Sequence, residues 1–223
     1  MLVRLLQLAS PALPVGAFSY SQGLERRVED GGVTDAASAA TWIGDALRHA
    51  AAAVEAPAVV ALLRAWRADD AARAAALNER FVAMRETAEA RAETLQMGHS
   101  LARLLGELGD MREVAAKLRA AGAEPAFPTV WAAAAAHWGI DETTAAQAWL
   151  WSWLENQVMA AVKLVPLGQT AGQNLLFELA AGIPALAADA VARADDDDWR
   201  NFTPGLALAS ARHETQYTRL FRS

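Results

Sequence analysis

Four histidines are the first residues in this 223-residue chain that could do chemistry: His49, His99, His137 and His213. None has a partner at the HxxxH or HExxH spacing that lets one helix face hold a metal. They read as three helix histidines and one near the C-terminus. No G-x-x-x-x-G-K-[ST] is present to cradle a phosphate, and "GQTAGQ" (168–173) lacks the lysine and follows no strand. G-x-S-x-G is absent too, and Ser19 and Ser21 sit in a loop where capping suits them better than nucleophilic attack. Glu89 and Glu93 fall one turn apart in charged company and read as a solvated face. With no cysteine, the chain has no thiolate, disulfide or zinc knuckle. No catalytic residue, metal ligand or cofactor is assigned.

Three stretches are unusual for a plain helical protein. The first, "LASPALPVGAFSYSQGLE", puts Phe18 and Tyr20 in a Pro/Gly-rich turn, either as turn packing or as a contact loop. The second, "AAVKLVPLGQTAGQ", interrupts an apolar run with Lys163 and places Gln169 and Gln173 one turn apart beyond a break. A buried, unpaired ammonium is costly, so Lys163 must reach solvent, an acid or a partner. The third is the terminal "ARHETQYTRLFRS", with Arg212, His213, Glu214, Tyr217, Arg219, Leu220, Phe221 and Arg222. Arginine and aromatic side chains carry much of the energy of protein interfaces. The preceding "RADDDDW" is a like-charge block that favours an extended spacer. The terminal residues are therefore expected to act as a free segment whose arginines seek a carboxylate-rich groove outside the body, the alternative being a short apolar cluster that folds back on its own subunit.

The elements that position these stretches are helices. Alanine supplies 55 residues, which favours closely packed helices over sheets. Periodic segments broken at Gly and Pro predict about ten helices in a single all-α bundle over 1–194. An acidic linker over 195–210 and a flexible binding tail over 211–223 follow. Asp35 and Asp141 read as helix caps, and Pro57 as the first turn of a new helix. The helix after Asp141 carries Trp149, Leu150, Trp151, Trp153, Leu154 and Val158 over most of its circumference, leaving a narrow stripe of Ser152, Glu155, Asn156, Met159 and Lys163. Such a helix is either central to the bundle or offers a second apolar side to a partner. A net charge of −6 argues against a nucleic-acid surface. The N-terminal apolar run is broken by Gln7, Pro11 and Pro14, so neither a signal peptide nor a membrane span is expected, and the chain reads as cytoplasmic.

Four segments, "LLQLASPALPVGAFSYSQGLE", "RETAEARAETLQMGHSL", "KLVPLGQTAGQ" and "RHETQYTRLFRS", resemble in order the signature segments of the urease accessory UreF family. Ala90 in "EARAE" stands where a larger apolar residue is usual. The resemblance implies an all-α, non-catalytic homodimer that assembles with UreD (also called UreH), the GTPase UreG and apo-urease while nickel enters the urease active site. It suggests that UreD/UreH supplies the groove for Arg212 to Arg222, while a charge and two amides beside a helix break place Lys163, Gln169 and Gln173 on the surface expected to govern UreG. A direct GTPase-activating role, with an arginine inserted into UreG's nucleotide site, stays open. So does a small helical enzyme using a histidine acid–base.

Overall fold

The structure is a computed structural model that describes residues 1–122, 124–195, 199 and 202–223. Among the described residues there are helices, turns and no strand. In chain order the helices are α1 (Leu2–Leu8), α2 (Leu24–Glu29), α3 (Ala36–Ala46), α4 (Ala56–Arg67), α5 (Ala71–Ala83) and α6 (Ala88–Glu107). They continue with α7 (Arg112–Ala120), α8 (Phe127–His137), α9 (Glu142–Leu164), α10 (Gln169–Ala180), α11 (Ile183–Ala192) and α12 (Pro204–His213).

Side-chain caps set several boundaries. Asp35, Asp70, Thr87 and Asp141 each accept a backbone N–H from the first turn of α3, α5, α6 and α9. The break expected before Pro57 does not occur. Ala36–Arg67 is one continuous helix, and its middle, Leu47–Glu55, is wound as a π-helix. Proline lacks an N–H and crowds the carbonyl a turn earlier; the wider turns just upstream accommodate it without ending the helix. This helix is long and apolar enough to cross a membrane, yet 78% of its most apolar window is buried inside the protein.

The core lies where α4, α8 and α9 meet. Alanines 132–135 of α8 and Ala58, Val59, Leu62 and Leu63 of α4 are all but inaccessible, so the two helices approach on small side chains. Trp131 and Trp149 meet edge to face, with ring centroids 5.7 Å apart. Most of the broad apolar arc of α9 is spent here: Trp149, Leu150, Trp153, Leu154 and Val158 are buried, and Trp151 is left at 38% exposure. Gly98 lets α6 pass against the strand-like entry to α8, where a Cβ would stand 2.0 Å from the Pro125 carbonyl oxygen.

The C-terminal region departs from expectation. The boundary drawn at 210/211 falls inside α12, a helix that composition did not reveal. Of the acidic linker, Asp196, Asp197, Asp198, Arg200 and Asn201 lie outside the described residues. The flexible tail is not observed: residues 211–223 are packed on their own body.

Candidate functional site

Three of the four signature segments converge at one place. Residues 17–23 form a turn, α6 runs beneath it, and the terminal residues lie across both. Gly23, at φ +81°, lets α2 begin in a left-handed conformation. A Cβ there would press within 3.0–3.1 Å of Ser210 and Ala209, so the same glycine admits the backbone of α12.

Two carboxylates, Glu25 buried and Glu89 partly so, hold the terminal segment. Glu25 of α2 accepts the Leu220 N–H at 2.6 Å and the Phe221 N–H at 2.9 Å. Its Oε2 also lies 3.0 Å from His213 Nε2. Glu89 of α6 faces the other side of that imidazole, 2.8 Å from Nδ1, and accepts from Arg219 at 2.7 Å. The Arg222 N–H donates to the Ser19 carbonyl, and the Ser223 carbonyl accepts from both the N–H and the hydroxyl of Ser21. Glu214 accepts the Ala88 N–H, placing a negative charge at the positive end of α6. The carboxylate-rich groove sought outside the body is thus supplied by the chain itself.

The predicted tail residues therefore divide. His213 and Phe221 are buried and cannot meet a partner in this arrangement. Arg219 and Glu214 are engaged with α6. Arg212, Tyr217 and Leu220 face outward, with Tyr217 fully exposed, and the exposed Arg222 reaches back to the Tyr20 phenol. The contact loop divides likewise: Phe18 is 64% exposed, whereas Tyr20 is buried and donates its hydroxyl to Gln96 at 2.8 Å. Burial, with Glu93 nearby, raises the Tyr20 phenol above its ordinary value. Lys163 is exposed and lies beside the platform, its ammonium 5.6 Å from the Phe221 ring centroid. Gln169 and Gln173 are exposed on α10, which packs on α9 and α3, with the 85% exposed Phe177 one turn further on.

The polar stripe of α9 serves this construction too. Ser152 donates to the Ala9 carbonyl and Asn156 to the Tyr20 carbonyl, tying the N-terminal segment down. Glu155 on the same stripe is half-buried, and burial raises its carboxyl above the usual range.

Glu89 and Glu93 correct the solvated-face reading most clearly. Glu93 is buried, accepting from Gln22 at 2.7 Å and from the Ser223 hydroxyl at 3.1 Å. Burial pushes its carboxyl up to about 7. Gln22 also accepts from the Trp153 indole. Beneath lies a cavity of about 330 Å³ whose lining includes Glu55, Arg85, Glu93, Trp149, Trp153 and Ser223. Glu55 pairs with Arg85 at 3.0 Å. Among the described residues no group of three or more His, Asp or Glu side chains is arranged to hold a metal ion. Glu25 and Glu89 lie on opposite sides of the His213 ring and do not converge on a point. The arrangement presents a surface.

The family model for UreF matches residues 33–180. The urease accessory protein UreF of Azoarcus sp. (strain BH72) is 59% identical over the whole chain and 95% of its own length. That of Dechloromonas aromatica (strain RCB) is 56% identical over the whole chain and 97% of its own length. The bifunctional urease accessory protein UreEF of Bordetella bronchiseptica is 52% identical over the whole chain, which covers 52% of that longer protein. The all-α body and the platform built from its signature segments stand together with these likenesses: the chain belongs to the UreF family of urease accessory proteins.

Proposed function

We propose that the chain acts in the cytoplasm as a non-catalytic adaptor in urease maturation. It bridges UreD/UreH and the GTPase UreG on apo-urease and regulates UreG while the nickel centre is assembled. One observation carries the reading. The terminal segment is seated by its inner face, and Phe18, Leu220 and Arg222 remain outward beside Lys163. Exposed aromatic and aliphatic side chains ringed by arginine and lysine suit a protein interface. In this reading UreD/UreH meets Arg212, Tyr217, Leu220 and Arg222, and the Lys163, Gln169 and Gln173 region governs UreG.

A homodimer belongs to the same proposal. Trp151 and Met159 stay more than a third exposed on α9, two turns apart around Glu155. Light scattering at micromolar concentration should give twice the 23.7 kDa of one chain.

The test is capture of UreD and UreG by the full chain, with single-turnover GTP hydrolysis by UreG in parallel. Leu220→Ala combined with Arg212→Glu should keep full helicity and lose UreD. Undiminished UreD capture by that variant would overturn the assignment. Truncation after Ser210 is a poorer test, because it removes the partners of Glu25, Glu89 and Glu93 and so disturbs the body.

A further inference from the structure

His213 is fully buried, and each ring nitrogen lies within hydrogen-bond distance of a carboxylate from a different helix. A neutral imidazole has one N–H and one lone pair. With two ionised carboxylates it can satisfy only one of these contacts; the other would set a lone pair against a carboxylate oxygen at 2.8–3.0 Å. For both contacts to be attractive, the three groups must share one proton more than a neutral imidazole and two carboxylates hold. We propose that this shared proton latches residues 213–223 onto the body, and that its loss releases them.

Few other charges stand against the cluster. Arg219 of the terminal segment binds Glu89 from the side away from His213. Glu25 from α2 is otherwise held by the N–H groups of Leu220 and Phe221. The neighbours of His213 on α12 point elsewhere: Arg212 is exposed, and Glu214 is engaged at the start of α6. Without the extra proton, the buried Glu25 and the partly buried Glu89 face the Arg219 guanidinium and a neutral ring. Glu93, one turn along α6 from Glu89, acts in the same direction. It is packed under Ser223 and Gln22, with Glu55, Arg85 and Tyr20 as its charged or titratable neighbours and Arg222 of the terminal segment on the far side of Tyr20. Burial is the larger effect and holds its carboxyl near 7 against the Ser223 hydroxyl, which favours the carboxylate. A seated segment that keeps water out therefore favours the protonated form, whereas water reaching it on release favours the carboxylate. Both carboxylate contacts of His213 are attractive only with the extra proton in place, and they exist only while the segment is seated. Seating is therefore strongest in acid and weakens as pH rises, for Glu93 between its usual carboxylate range and about 7. If the adaptor reading is right, the partner-facing surface is then assembled preferentially on the acid side.

The experiment uses the full chain alone, so failure of the adaptor reading does not touch it. A nitroxide on Leu220→Cys, the only cysteine in the protein, reports mobility by electron paramagnetic resonance from pH 5.5 to 8.5, with helicity as a folding control. The ratio of mobile to immobile label should rise with pH, by up to about tenfold per unit for each proton released. Glu89→Gln supplies an amide N–H to His213 and an amide oxygen to Arg219, removing the need for the shared proton. It should keep the label immobile and take the His213 contribution out of the slope, and Glu89→Gln with Glu93→Gln should be flat. A flat wild-type profile overturns the proposal, as does a wild-type slope retained by Glu89→Gln. Should Glu89→Gln be mobile at every pH, the permanently charged His213→Arg decides: an immobile label with reduced slope supports the latch. A retained slope there, or mobility throughout, overturns it.

Discussion

The contact of α4 with α8 and the seating of the terminal segment on α2 and α6 are both buried, yet they are built from opposite materials. Between α4 and α8 the surfaces are alanine, valine and leucine, with accessibilities at or near zero. Under the terminal segment they are Glu25, Glu89, Glu93, Ser21 and His213, held by hydrogen bonds of 2.6–3.1 Å. A dry apolar contact depends on volume and hardly at all on pH or partners. A buried polar contact is worth little net when complete, and costs heavily when one group is left alone. The first kind suits a scaffold, the second a part that must answer to its surroundings.

The comparison breaks hardest at Trp131, fully buried between α8 and α9. Trp131→Ala should cost about 3–5 kcal/mol of global stability, read as a lower urea midpoint with every probe shifted together. Gly98→Ala follows. The obstacle to its Cβ is the Pro125 carbonyl and neighbouring backbone, which cannot rotate aside as a side chain can. A loss of about 3 kcal/mol, the upper end for overpacking, is expected. A loss below about 1 kcal/mol would mean that α6 and the entry to α8 are less tightly apposed than 2.0 Å implies.

At Glu25 the effect should change in kind. Glu25→Ala strands the N–H groups of Leu220 and Phe221 and one side of His213. Seating should weaken by about 1–3 kcal/mol, with fast deuterium exchange confined to residues 213–223 and little change in the urea midpoint. A global shift equal to that of Gly98→Ala would erase the distinction between the two regions.

The scaffold was far more legible in the sequence than the seat. Asp141, Gly and Pro punctuation and apolar period place α9, α10 and α11 within a residue or two, because caps and amphipathic faces are local signals. The start of α12 is hidden behind an acidic block, and alanine-rich "GLALASA" carries too little contrast between faces to announce itself. Glu89 and Glu93 defeat the reading for a deeper reason. Their partners His213, Arg219 and Ser223 are 124–130 residues away, so nothing in their own helix marks them as engaged. One signal was available. The basic terminus and the acidic "ETAEARAE" both belong to the signature segments, and opposite charges in two such segments invite pairing within the chain.

The smallest effect on stability is expected at Lys163, and it sharpens the comparison from outside. Its ammonium lies over the Phe221 ring at 5.6 Å but is open to solvent, so the attraction is worth about 0.5–1 kcal/mol at most. Lys163→Ala should therefore leave the urea midpoint within about 0.5 kcal/mol of wild type and leave Leu220 and Phe221 protected from exchange. Lys163 nevertheless borders the rim on which Phe18 and Leu220 stand exposed, where a partner would remove water from the ammonium. A charge that contributes little in water contributes more once desolvated against a complementary group. Capture of UreG, or its GTP hydrolysis rate, should accordingly change severalfold in Lys163→Ala while Lys163→Arg stays close to wild type. Equal loss in both variants would show that the ammonium's shape matters as well as its charge. Unchanged UreG behaviour in Lys163→Ala would confine the functional surface to the terminal segment and return Lys163 to the solvated exterior.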